Sequence, residues 1–408
     1  MLQLTRRQFG GLALAVGAAS RRVAAATSID ETLRTGIAQR KIPCVTAMVA
    51  GPEKILYSGA FGKRDSASGL AVKPDSIFAI ASMTKAVTSA AALQLVERGT
   101  LTLDEPVAKH LPQLAKLNVL EGFDSSGKPM LRPATKPVTL RRLLTHTSGF
   151  AYDTWDGNML RYNQQAGSPP PNSAPVVTPL IFEPGTRWQY GTSLDWTGAL
   201  VEKVSGQTLE QYFQEHILHP LGMNDTSFMV PKEKFERLVS EWRRQPDGTL
   251  KEDPRVLPPA PKFFNGGGGL YSTAPDYICF MQMILRKGRG PSGTVLEPKT
   301  VDMMSSNQIG PLGAGKLKTF RPAVSADVDF HPGATDKFGF GFLINTTAYE
   351  GGRSAGSLAW AGVANTFYWI DPHRQICAAI MMQFLPFVDP QGVGMLHDFE
   401  HSVYATLA

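Results

Sequence analysis

Cysteine is scarce: Cys44, Cys279 and Cys377 are the only three in 408 residues, far apart and odd in number. No Cys-x-x-Cys pair and no cysteine–histidine spacing accompanies them, so a zinc ribbon or redox dithiol is excluded and all three read as small buried apolar residues. In an oxidising compartment one pair could close a disulfide, but the spacing does not select which. Also missing is any uninterrupted run of ~18 apolar residues, the length a membrane-spanning helix needs. There is no internal repeat of fixed period either, which excludes solenoids and propellers. A strong charge imbalance is lacking too. Of the formal net charge of +6, four units come from Arg6, Arg7, Arg21 and Arg22, leaving +2 without them. Charge therefore gives no support to nucleic acid or an acidic partner. What is present, 43% hydrophobic and 19% charged residues, is the composition of an ordinary globular protein and sets aside disordered and fibrous classes.

The N-terminal stretch "LTRRQFGGLALAVGAASRRVAAATS" combines paired arginines, a weakly apolar Gly/Ala/Leu centre and a small-residue cleavage candidate at Ala24-Ala25-Ala26. Over residues 1–26 this resembles a bacterial twin-arginine export signal and implies a periplasmic or secreted mature protein, with no membrane span after cleavage.

A chain this long exceeds what one hydrophobic core usually serves, so more than one lobe is expected. After an amphipathic stretch near Ile29 to Ala38, "CVTAMVAG" and "KILYSGAFG" form a strand pair split by Gly51-Pro52-Glu53. A matching pair closes the chain: "ANTFYWI", the turn Asp371-Pro372-His373, and "QICAAIMMQF", followed by a helix near Gly392 to Thr406. The expected class is α+β, with one antiparallel sheet built from both ends of the chain and flanked by helices. Residues 27–105 and 330–408 would form that lobe, and 106–329 a mostly helical one with Pro/Gly-rich loops. In the middle, Thr139 and Thr273 are placed to cap helices. Thr192 and Asp195 have capping-box spacing, and "TLEQYFQEHILHPLGM" should end at Pro220.

The candidate chemistry begins in "IFAIASMTKAVTSAAALQLVERG", a segment built for a core yet carrying Lys85 three residues after Ser82. Residues three apart share a helix face, so hydroxyl and amine would lie side by side. If Ser82 opens the helix, unpaired N–H groups favour a developing alkoxide, and burial favours a neutral amine able to take the hydroxyl proton. The bland reading is that Ser82 only caps the helix and Lys85 reaches solvent. Ser-x-x-Lys alone does not decide between them.

Further segments do. "SMTK" resembles the Ser-x-x-Lys box of serine β-lactamases and penicillin-binding proteins, and "LLTHTSGF" a segment of their class C branch and its esterase relatives. "YGTSLDWTGALVEKVSG" places Tyr190 where that branch carries the tyrosine of Tyr-x-Asn, while "GGGGLYSTAPDY" and "WAGVANTFYWIDP" resemble its esterase side. The resemblance spans nearly the whole chain after residue 26. It implies a β-lactamase/transpeptidase-like fold, Ser82 as nucleophile, and Lys85 and Tyr190 moving its proton. It also implies an oxyanion hole formed by the backbone N–H groups of Ser82 and Val363.

Two departures bear on substrate. Trp360-Ala361-Gly362 stands where β-lactamases carry Lys-Thr-Gly, which replaces an anchor for a carboxylate by an indole suited to a neutral, apolar group. Thr192 stands in place of the asparagine of Tyr-x-Asn. The first change resembles family VIII carboxylesterases and statin-type acyltransferases, although Ala361 replaces their usual glycine, and both changes weaken an antibiotic-hydrolysis reading. The expected function is hydrolysis of a small-molecule carboxylic ester through an acyl-enzyme, with no cofactor and no metal. Tyr152 and Trp155 are candidates for the substrate pocket beside Trp360, Ala361 and Gly362. The alternatives are a β-lactamase or D-amino acid peptidase, transfer of the acyl group to an alcohol, and a silent binding protein of the same fold. "HDFEH" (397–401) matches a zinc pattern but leaves no room for a third downstream ligand. "NGGGGLYST" lacks the ending of a phosphate loop and reads as a wall near the pocket. His146 reads as structural.

Overall fold

The computed structural model describes residues 28–167 and 173–407. Helix α1 (28–40) leads into strands β1 (Cys44–Ala50) and β2 (Ile55–Gly62), the first of the two hairpins expected. Near the other end lie β3 (Lys337–Phe338), β4 (Leu343–Ile344), β5 (Leu358–Gly362), β6 (Thr366–Asp371) and β7 (Ile376–Met381). One seven-stranded sheet results, in the order β3-β4-β5-β6-β7-β1-β2, antiparallel throughout. The two chain ends meet at its centre, where Thr46 of β1 pairs with Met381 of β7.

Strands β1, β6 and β7 are buried along every residue, which requires cover on both faces of the sheet. Tyr368 and Trp369, adjacent on β6, point to opposite faces and show what provides it. Tyr368 packs on Tyr277 of α4 (Ala274–Leu285), ring centroids 5.0 Å apart, and Trp369 on Phe399 of α5 (Pro390–Thr406), 5.7 Å apart. Helix α4 comes from the middle of the sequence and is tied to the sheet by Gln282 Nε2, which donates to the Gly51 carbonyl at 2.8 Å.

The segment around Lys85 forms α2 (Thr84–Glu97), in which every residue from Thr84 to Leu95 is buried. Its polar side chains Lys85, Thr88, Ser89 and Gln94 are all hydrogen-bonded inside the protein, so over this stretch it has no solvent face, as an interior helix should. Helix α3 (Ser193–Ser205) ends, as expected, at Gly206 in the left-handed conformation, φ 74°. Thr139 and Thr273 cap their helices through bonds to Arg142 and Asp276 N–H. Thr192 makes no capping bond, so the capping box expected there does not form; the one that does is Thr208 with Gln211. Nor does Pro220 end its segment. The chain passes from Leu209–Phe213 through a π turn at Gln214–Leu218 into His219–Leu221 and stops at Gly222, φ 74°. Proline is accommodated inside this continuous run because the turn is locally widened and the His216 carbonyl, four residues back, accepts instead from Gln94 Nε2 at 3.0 Å.

All three cysteines are free thiols, and burial raises Cys44 to about 12. Among the described residues no helix is long and apolar enough to cross a membrane. Glu400 of the "HDFEH" stretch is engaged elsewhere: Arg353 grips it with Nε at 2.8 Å and Nη2 at 2.6 Å, both side chains buried. His401 Nε2 lies 2.8 Å from the Glu350 carbonyl. Removing one partner of a buried pair strands the other charge. Glu400→Ala should therefore lower unfolding stability by about 3 kcal/mol or more in urea titrations.

Candidate active site

Strand pairing brings the nucleophile segment to the centre of the molecule: Phe78–Ala79 pairs with Tyr271–Ser272, and Ile80 N–H donates to the Leu270 carbonyl at 3.1 Å. Ala81 then takes φ 43°, a left-handed conformation that costs a residue with a Cβ and that clusters at functional sites. Ser82 follows in the 3₁₀ turn Ala81–Met83 that opens α2, half-buried, and Lys85 lies one turn on with 2% of its surface exposed.

Lys85 Nζ is 3.0 Å from Ser82 Oγ and 3.3 Å from Tyr152 Oη, and it also donates to the Gly267 carbonyl. An ammonium has three donors, and here three acceptors converge on it. The expected serine–lysine contact is thus formed, and Tyr152 lies within it. Tyr190 is in the same cluster but differently placed. Its ring is 4.8 Å from Lys85 Nζ, while its hydroxyl accepts a 3.1 Å bond from Trp360 Nε1.

Trp360 lies buried behind Tyr190 with its indole ring 4.9 Å away. Ala361 is buried as well, and Gly362 packs so closely on the Ile80 carbonyl that a Cβ would overlap it. This contact sets the start of the turn at Val363 beside the segment that carries Ser82. Trp155 stacks edge-on against Tyr190 at 5.3 Å and donates to Ser325 Oγ at 3.3 Å. His146, ring 4.7 Å from Tyr190, is pushed well below the ordinary histidine range by burial and then by Lys85, so it is a neutral packing partner.

The glycine run takes its composition from close backbone approach. A Cβ on Gly266 would come within 2.8 Å of the Leu194 carbonyl, and one on Gly267 would overlap Asp195 Oδ1. Its carbonyls face inward: Gly266 accepts from Thr88 Oγ1 at 2.7 Å, and Gly267 from Lys85. The run is a wall of the site built to receive donors, the opposite of a phosphate cradle.

Asp195, read from the sequence as a cap residue, is a site residue that the sequence reasoning missed. It is 7% exposed, and its Oδ1 has no hydrogen-bond partner among the described residues. Burial pushes its carboxyl up to about 6, against the opposing pull of Lys85 and the Gly267 amide. Tyr152 is raised well above the ordinary phenol range by burial first and then by Asp195. The only sequence signal for Asp195 was an acidic residue on the buried side of α3.

A cleft with two arms opens beside these groups. One, of about 270 Å³, is lined by Tyr152, Asp153, Thr192, Asp195 and Asn265. The other, of about 810 Å³, runs past Ala81 between Phe228, Tyr271 and the segment from Pro258 to Phe263.

Residues 29–394 match the family described as Beta-lactamase. The chain belongs to the Beta-lactamase family. It is 32% identical to monacolin J acid methylbutanoyltransferase of Aspergillus terreus, over 92% of this chain and 95% of that enzyme. It is 30% identical to lovastatin esterase of Penicillium rubens, over 93% and 97% respectively. A mutant of simvastatin synthase from Aspergillus terreus superposes with a TM-score of 0.78 at 30% identity, covering 92% of this chain and 96% of that one. The β-lactamase/transpeptidase-like α+β fold is therefore as expected, and the protein is a serine-type enzyme that transfers or hydrolyses acyl groups. These relatives also correct the export reading. Similar enzymes from Aspergillus, Penicillium and Monascus are fungal, and a bacterial twin-arginine route to a periplasm does not apply to them. The arginine pairs that suggested it lie outside the described residues.

Asp195 gives this Beta-lactamase family site a stability signature. Its folded carboxyl, near 6, holds a proton more tightly than the ordinary 3.8, so stability falls as pH rises through that interval. Asp195→Asn removes the penalty. The variant should melt a few degrees above wild type at about pH 8 and level with it at about pH 4, read by thermal unfolding.

Proposed function

We propose that the protein is a carboxylesterase working through an acyl-enzyme on Ser82, in a cleft between a lobe of residues 27–105 and 330–408, with α4 packed on its sheet, and a mostly helical lobe from the rest of 106–329. The observation that carries this reading is the 3.0 Å contact between Lys85 Nζ and Ser82 Oγ inside a buried site at the head of α2. With Lys85 in its neutral amine form, Ser82 Oγ attacks the ester carbonyl and passes its proton to that amine, and the N–H groups of Ser82 and Val363 hold the oxyanion. Tyr190, beside Lys85, delivers the proton to the departing alcohol. Tyr152, hydrogen-bonded to Lys85, links that amine to the cleft. Water then attacks the acyl carbonyl and Ser82 leaves with its proton restored. Trp155 and the Trp360-Ala361-Gly362 strand shape the pocket, Trp360 doing so through the hydroxyl of Tyr190.

Transfer to an alcohol is the second reading. It uses the same acyl-enzyme with an alcohol in place of water, and the roomy two-armed cleft favours it. Lactam hydrolysis is less well supported, because the strand position that anchors a carboxylate in β-lactamases here carries an indole turned onto Tyr190.

A fluorophosphonate probe should label wild type at Ser82, and Ser82→Ala should abolish both labelling and p-nitrophenyl ester hydrolysis. Lys85→Ala should lower kcat by roughly 10²-fold or more. An unlabelled Ser82 would rule out the mechanism, and rapid cleavage of a chromogenic cephalosporin without ester turnover would rule out the substrate class.

A further inference from the structure

We infer that Asp195, Asn265 and Thr192 form an acceptor subsite that holds a non-reacting hydroxyl of a neutral polyol, whose second hydroxyl then takes the acyl group from Ser82. This rests on the acyl-enzyme reading above and adds the chemical class of the acceptor.

Three observations lead to it. First, Asp195 is a carboxylate more than nine-tenths buried that lines the smaller arm of the cleft, yet among the described residues it has neither a salt bridge nor a side-chain hydrogen bond. Only the Gly267 amide, itself bonded to Asn265 Oδ1, acts on this buried carboxylate, so Oδ1 is left short of a donor at a cost that a ligand hydroxyl would relieve. Second, the neighbouring groups complement it. Asn265 spends its Oδ1 on the Gly267 N–H at 2.7 Å, which leaves its amide nitrogen to donate. Thr192 makes no capping bond, which frees its hydroxyl to donate or accept. A hydroxyl both donates and accepts, so an acceptor on one side and a donor on the other suit it better than they suit a carbonyl or a carboxylate. Third, the charge of this arm disfavours anions. Across it Asp153 is paired with Arg321 at 3.3 Å, so Asp195 is left as the surplus charge. Lys85, outside the lining of this arm, is occupied by Ser82, Tyr152 and Gly267.

The transfer step balances. The acceptor oxygen forms a bond to the acyl carbon, the bond from that carbon to Ser82 Oγ breaks, and the acceptor's proton passes through Lys85 to Ser82 Oγ. The products are a monoester of the polyol and the free enzyme, with no further reactant.

The test uses p-nitrophenyl butyrate as donor with glycerol, 1-propanol or glycolate at equal concentration, and measures each new ester relative to butyrate released by water. Wild type should favour glycerol over 1-propanol by roughly tenfold, the worth of one hydrogen bond to a charged group, and should form the least ester with glycolate. In Asp195→Ala the glycerol preference should collapse to about that of the uncatalysed alcohols, whatever happens to the overall rate. Asp195→Asn keeps the shape and one acceptor oxygen, so it should retain an intermediate preference and serves if the alanine variant does not fold. Equal preference in wild type and both variants, or none in wild type, overturns the subsite while leaving the acyl-enzyme intact. If wild type releases no p-nitrophenol and Ser82 takes no fluorophosphonate, the acyl-enzyme reading falls and the subsite falls with it.

Discussion

Lys85 takes a charged group into a helix that has no face open to water, and such a burial costs several kcal/mol unless each donor finds an acceptor. The acceptors come from three places far apart in sequence: the turn before α2, the loop carrying Tyr152, and the glycine run that includes Gly267. Much of the local structure follows from making them meet. The run must be glycine where its backbone passes α3 and Asp195, and Ala81 must accept a left-handed backbone to present Ser82. Burial that would merely penalise a stray lysine here organises the site around it.

The same burial sets the charge balance of the neighbourhood. Lys85 is surrounded by groups that are neutral or reluctant to ionise: His146 is held unprotonated and Tyr152 protonated, both mainly by burial. Asp195 is the exception, close enough to the lysine to be drawn toward ionisation and buried enough to resist it. A site with one ionisable carboxyl balanced in this way responds to what enters the cleft, since a donor or a cation there would relieve a cost the empty protein carries.

How far the sequence disclosed this depended on distance along the chain. The Ser82–Lys85 contact was legible because it spans one helical turn, and both hairpins were legible because apolar runs flank tight turns. That both ends would share one antiparallel sheet was legible once the hairpins stood at opposite ends; the order of its strands was not. Contacts across the chain were not. Asp195 and Thr192 had the spacing of a capping box, and nothing local revealed that Gly267, more than seventy residues later, would pack against the Asp195 carboxyl. The glycine run showed close approach without showing to what. Trp360 was legible as a residue of the pocket strand, but whether its N–H would face a ligand or Tyr190 depended on how β5 seats against α2.

That seating joins two properties usually treated as separable. In the function proposed above, the indole placed to select the substrate also holds the hydroxyl of the phenol beside the lysine. A side chain exchanged there to admit a new substrate would release that phenol at the same time. On that proposal, selectivity and turnover at position 360 are a single design variable, and engineering one without the other requires a compensating donor for Tyr190 from somewhere else in the pocket.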